Sequence, residues 1–113
     1  MSALDLSIAG SLARDLAPAD FGRIVESFET DIERLANEME AGILAGDCLA
    51  VRRAAHGLAG AAAAVGAATL EKAARVGLGH GPYPAGFVTA VRRTGAEAMR
   101  ELRALMGERS SGT

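Results

Sequence analysis

Apolar residues return at intervals of three, four and seven along most of this chain, the period of an α-helix with one buried face. The clearest case is 18–45, where Phe21, Ile24, Val25, Phe28, Ile32, Leu35, Met39 and Ile43 form one continuous stripe. Glu26, Glu29, Glu33, Glu38 and Glu40 fall mostly on the other faces. Pro18 and Asp20 suit a first helical turn. Gly46 stops this helix, and Asp47 is a natural N-cap for the one that follows. That next helix, about 48–65, carries Val51, Ala55, Leu58, Ala62 and Val65 on one stripe, and Gly66 ends it. Thr69 is expected to cap a shorter helix, about 69–78, with Leu70, Ala73, Ala74 and Gly77 facing inward. Gly77, Gly79, Gly81 and Gly86 surround Pro82 and Pro84, so "GLGHGPYPAG" reads as a loop. A last helix, about 85–107, uses Phe87, Val91, Ala98, Met99, Leu102, Leu105 and Met106, and the tail "ERSSGT" is expected to fray. Before all of these, Leu4, Ile8 and Leu12 predict a short helix over 3–14, weakened by Gly10.

Composition agrees with that pattern. Half of the 113 residues are apolar, but only Phe21, Phe28, Phe87 and Tyr83 are aromatic and there is no Trp. Leu, Ala, Val, Ile and Met must fill a modest core. Good helix formers dominate, and no run of alternating β-branched residues suggests a strand. The chain reads as all-α: an antiparallel four-helix bundle with a short additional N-terminal helix over one end, in a single domain spanning 1–113. A bundle alone names no function.

Charge changes the picture more than its total suggests. The net charge is −2, which argues against general nucleic-acid binding. Residues 1–47 carry ten acids against Arg14, Arg23 and Arg34, a net of −7. Residues 48–113 carry nine bases against Glu71, Glu97, Glu101 and Glu108, a net of +5. The plain reading is that oppositely charged helices pack side by side. The sharper reading is that the basic surface around 52–56 handles anions. Cys48 is the only cysteine, so no internal disulfide forms and a reducing compartment is expected, with Cys48 filling space near a helix start. No basic region followed by an apolar run opens the chain, and the low-charge stretch 54–70 is too weakly hydrophobic for a membrane span. A soluble cytoplasmic protein is the expectation.

The chemistry centres on His56, in a stretch of alanine and glycine. A helix advances about 100° per residue. With Leu58 at zero, the core stripe of 48–65 centres near 20°, and His56 lies near 160°. It should face away from the core. Arg52, Arg53, Ala59, Gly60 and Ala63 all fall within about 60° of it. Gly60 costs about 1 kcal/mol relative to Ala in a helix interior. If it points outward, one reason to keep it is that something large must approach His56.

A lone exposed histidine is most often just a surface residue. A zinc site needs several ligands, and Cys48, eight residues away, is joined by no second histidine or acid. His80 lies in the Gly/Pro loop and is expected to be exposed. No nucleophile with an oriented acid and no phosphate-binding glycine loop is present. What remains is the imidazole as nucleophile and carrier of a phosphoryl group, with Arg52 and Arg53 balancing its charge. Such a protein needs no cofactor of its own. A partner supplies the metal and the base.

"AHGLAGAAAAVGAATLEKAA" resembles the signature helix of histidine phosphotransfer (HPt) domains, roughly A-H-x-L-K-G-[SA]-[AS]-x-x-[LIV]-G-A-x-x-L. Ala55, His56, Leu58, Gly60, Ala61, Ala62, Val65, Gly66, Ala67 and Leu70 match it, and Glu71 continues it. The resemblance is sharpest over 52–74. It implies a four-helix bundle with His56 exposed midway along one helix. It also implies that His56 accepts phosphoryl from a receiver-domain aspartate and passes it to another, as a monomeric carrier between hybrid sensor kinases and response regulators. Gly60 would give the receiver room, and Leu58 and Val65 would be core. One departure stands out: the family's usual lysine three residues after the histidine is Ala59 here. Arg52 or Arg53 is the candidate substitute. The alternatives are slow transfer, unusual partner choice, or an HPt-like docking module that binds receiver or kinase domains without carrying phosphate.

Overall fold

The computed structural model describes residues 2–111. Five α-helices follow one another: α1 (Leu6–Asp15), α2 (Pro18–Ala45), α3 (Cys48–Val65), α4 (Ala68–Arg75) and α5 (Phe87–Ser111). A 3-10 turn, Val76–Leu78, extends α4, and no strand occurs among the described residues.

The two long predicted helices around the 46–47 corner have the expected bounds because their ends are chemically marked. Pro18 is the first residue of α2, and Gly46 closes it in the left-handed conformation at φ 67°. Asp47 caps α3, its carboxylate accepting from the Ala50 N–H at 3.0 Å. Gly66 closes α3 at φ 76°. It is doubly constrained, because a Cβ there would lie 2.9 Å from the Asp5 carbonyl oxygen and 3.1 Å from the Ala9 nitrogen.

The bounds of α1, α4 and α5 differ from expectation. α4 starts one residue early, at Ala68 with Ala67 in the cap position, and Thr69 caps nothing; it is an exposed residue of the first turn. The first turn of α4 has backbone acceptors in place of a side-chain cap: Ala68 N–H donates to the Gly66 carbonyl at 2.9 Å and Thr69 N–H to the Ala3 carbonyl at 3.4 Å. α1 begins after Asp5, whose carboxylate accepts from the Ser7 N–H, and its buried residues are Ala9 and Ala13. Ile8 is exposed, so the Leu4–Ile8–Leu12 stripe is only partly a core stripe. α5 starts at Phe87, later than expected, and its backbone continues through Ser111. Of the tail expected to fray, Gly112 and Thr113 lie outside the described residues. Cys48 also differs: it is exposed, and its thiol donates to the His80 carbonyl at 3.2 Å rather than filling space.

Helix directions follow from which residues meet. Gly42 faces Val51 and Leu35 faces Gly57, so α2 and α3 run in opposite senses. Gly22 approaches Met106, Glu29 pairs with Arg103, and Ile32 touches Gly95, so α5 also opposes α2. α3 packs on α4, and α4 on α5, closing a ring of four. Phe21, Met39, Val51, Leu58, Leu70, Val91 and Leu102 fill its centre, fully buried. Three contacts need glycine: a Cβ on Gly42 would meet Val51 at 2.8 Å, one on Gly77 would meet Ala55 and Phe87 at 2.8 Å, and one on Gly95 would meet Ile32 at 2.8 Å. Thr94 is buried but satisfied, its hydroxyl donating to the Ala90 carbonyl at 2.7 Å. α1 covers one end, tied by Asp5 N–H to the Gly66 carbonyl at 2.6 Å.

The charge asymmetry is partly offset by exposed pairs between neighbouring helices. Arg103 pairs with Glu29 at 2.8 Å, and Arg92 reaches Glu40 at 3.8 Å and Asn37 at 3.0 Å. Acidic α2 and basic α5 therefore lie side by side, as the plain reading holds.

Candidate functional site

α3 presents the site because two glycine-closed corners fix its ends and three neighbours bury one side of it. The buried set is Val51, Ala54, Ala55, Leu58, Ala59, Ala62 and Val65. His56 is exposed, and so are Arg52, Arg53, Gly60 and Ala63. Helical side chains lean toward the N-terminus, so the imidazole lies over the turn that holds Arg52 and Arg53. The two arginines stand about 40° and 60° to either side of it. Neither pairs with an acid among the described residues.

Ala59 is the exception. It was expected on the outer face with His56 but is only 7% exposed. The cause is the width of the buried arc, which spans about 140° from Ala54 to Ala59. α2 covers one edge, while α4 and the 3-10 turn cover the other, where Ala55 touches Gly77. A single-helix wheel centred on the large residues misses this second neighbour.

Gly60 has open space where a Cβ would stand, with nothing within 4 Å. No helix packs there, so close packing does not explain this glycine. The surface beyond His56 is bare backbone flanked by Ala63 and Ala64.

The two flanks of His56 differ. Beside Arg52 lies the 79–86 loop, held by the Cys48 contact to His80 and by Tyr83 stacked on Phe87 at 5.7 Å between ring centroids. Burial pushes the Tyr83 hydroxyl up from its ordinary value, the Cys48 thiol adds to the rise, and Arg52 opposes it. His80 is exposed on that loop. Beside Arg53 runs an open trough between α2 and α3. Leu49, which sequence reasoning did not single out, is exposed on the His56 face. Its signal was available: seven residues before His56 is within about 20° of the same direction.

Among the described residues, no three His, Cys, Asp or Glu side chains are grouped to hold a metal ion. No described helix is long and apolar enough to cross a membrane.

Fold and face together define a helical bundle that displays one histidine between two unpaired arginines. Residues 23–76, from the first turns of α2 to the start of the 3-10 turn, match the family model of the Hpt domain. Domains of that family are histidine phosphotransfer modules of phosphorelays and interact with receiver domains. No curated protein and no solved structure matches the chain significantly.

Proposed function

We propose that the chain carries a phosphoryl group on His56 between receiver-domain aspartates. The observation that supports this most is the exposed imidazole with Arg52 and Arg53 unpaired beside it. A ring nitrogen lone pair attacks the phosphorus of an aspartyl phosphate. The P–N bond forms as the P–O bond to the carboxyl group breaks, and the electron pair leaves with the aspartate carboxylate. The other ring nitrogen keeps its proton. The reverse reaction on a second receiver unloads the carrier. Arg52 and Arg53 offset the charge of the bound phosphoryl group, taking over from the lysine that Ala59 replaces. Gly60 and Ala63 leave room for the receiver. The reading takes 1–113 as one domain acting as a monomeric carrier in the cytoplasm, where an exposed Cys48 thiol stays reduced.

Transfer from a panel of phosphorylated receiver domains to wild type and to His56→Gln tests it. Acid-labile, base-stable label on wild type alone is the expected result. Label on neither protein, with receiver binding preserved in both, supports the docking module instead. Ala59 favours that second reading, and Ala59→Lys is then the first variant to make.

A further inference from the structure

A groove between α2 and α5 opens on the side of the ring opposite α3 and α4, so the exposed His56 lies outside it. Its volume is about 630 Å³, and Ile32, Ala36, Gly95, Ala96 and Met99 form its floor. Its two rims carry opposite charge. Glu26, Glu29, Glu33 and Glu40 fall within about 60° of one another on α2, with no base among them. Arg92, Arg93, Arg100 and Arg103 fall within about 100° on α5, with no acid among them. Glu97 and Glu101 lie on the other edge of α5. Within the chain the rims meet twice, Glu29 with Arg103 at 2.8 Å and Glu40 with Arg92 at 3.8 Å. Glu33 and Arg100 line the same groove, are exposed, and pair with nothing among the described residues.

We infer that this face pairs with the same face of a second copy of the chain, in a reversible two-fold dimer whose axis runs along the helices. Charge selects both the occupant and the axis. A two-fold along the helices sets α2 of each copy over α5 of the other, so each acidic rim meets a basic one. A two-fold across the helices would set acid on acid. With the axis along the helices, every residue keeps its level. Ile32 touches Gly95 and Glu29 pairs with Arg103 within the chain, so Glu33 lies level with 94–99. Arg93 and Arg100 bracket that span, each within about one turn of Glu33 of the other copy. The unpaired Glu33 and Arg100 therefore meet twice, once on each side of the axis. The alanine and glycine floor lets the helices come close. The overlap of α2 and α5 runs roughly 30 Å, and a face of that length and two helices wide buries about 1,200 Å² over both copies, the low end for a specific interface. The dimer is reversible for that reason. This goes beyond the carrier reading: the single copy of that reading is the dilute form, and His56 stays free in both forms.

Sedimentation velocity of the full chain, from about 5 μM to about 500 μM, tests it. Wild type is compared with Glu33→Lys, Arg100→Glu and an equal mixture of those two, each checked for unchanged helix content by circular dichroism. Wild type is expected to rise from 11.5 kDa toward twice that mass as concentration increases, and to rise less at high salt. Each single variant sets like charges together on both sides of the axis. Each is expected to raise the concentration for half-dimerisation about tenfold or more. The mixture is expected to associate as wild type does, because one copy's new base then faces the other's new acid and the native pair remains across the axis. A mass of 11.5 kDa at every concentration overturns the dimer and leaves the rims as solvated charge. Unchanged association in both single variants overturns this face as the interface. A loss in both that the mixture does not restore overturns the two-fold pairing. The carrier reading stands or falls separately, on transfer from a phosphorylated receiver to wild type and to His56→Gln.

Discussion

Gly60 separates the demands of folding from those of function. Nothing in the bundle approaches its missing Cβ, so Gly60→Ala should stabilise the free protein by about 0.5–1 kcal/mol, seen as a higher urea midpoint with an unchanged slope. Gly60→Arg should keep the fold but cut transfer from a receiver, because the new side chain fills the approach to His56. If Gly60→Arg transfers normally, the bare surface has no role in docking. Gly66 is the opposite case. Its positive φ and its contact with the α1 backbone both reject a side chain. Gly66→Ala should therefore cost about 2–3 kcal/mol in denaturant unfolding. Both glycines belong to the recognised motif, yet one answers to a partner and the other to the fold.

The helices that carry the site are set by their ends. Asp47 fixes where α3 begins, and that start fixes the rotation at which His56 emerges. Asp47→Ala removes the acceptor of the Ala50 N–H and should destabilise the bundle by about 1 kcal/mol in thermal or chemical unfolding. Partial fraying of the first turn should follow, visible as faster amide exchange at Ala50 than in the middle of α3. The α2–α3 corner was readable in the sequence because glycine and aspartate each have one strong local preference there. The start of α4 was not, because Ala67 carries no such preference and its placement comes from backbone hydrogen bonds around Gly66.

Across the whole molecule, the N-terminal segment is tied down by a contact between residues nearly a chain length apart. Ser2 Oγ donates to the Glu101 carboxylate, and the Ala3 N–H donates to it at 2.7 Å. Partial burial raises the Glu101 carboxyl, but these hydrogen bonds outweigh burial and hold its pKa below the usual value. A lowered carboxylate pKa adds stability that is present above the unfolded-state value, about 4.3, and is lost as pH falls through the lower folded value. Wild type should therefore lose more thermal stability than Glu101→Gln between about pH 5 and pH 3. Equal losses would mean that Glu101 does not anchor the segment. The ion pairs between α2 and α5 are exposed and work differently: Arg103→Ala should change stability by less than about 1 kcal/mol.

Helix content, the bounds of α2 and α3, the outward direction of His56 and the family pattern around it were all legible in the residue order. Each rests on interactions within a few residues: helical periodicity, capping, and glycine's tolerance of positive φ. Ala59 and Ile8 were not placed by that reasoning. Their exposure depends on which second helix lies alongside, and one helix's periodicity carries no record of its neighbour's width. Packing buried Ala59 against the α4 side, left Ile8 in solvent at the bundle end, and set the 79–86 loop on one flank of the histidine and the α2–α3 trough on the other. Local chemistry chose the histidine and turned it outward; the arrangement of the other helices decided from which side it can be reached.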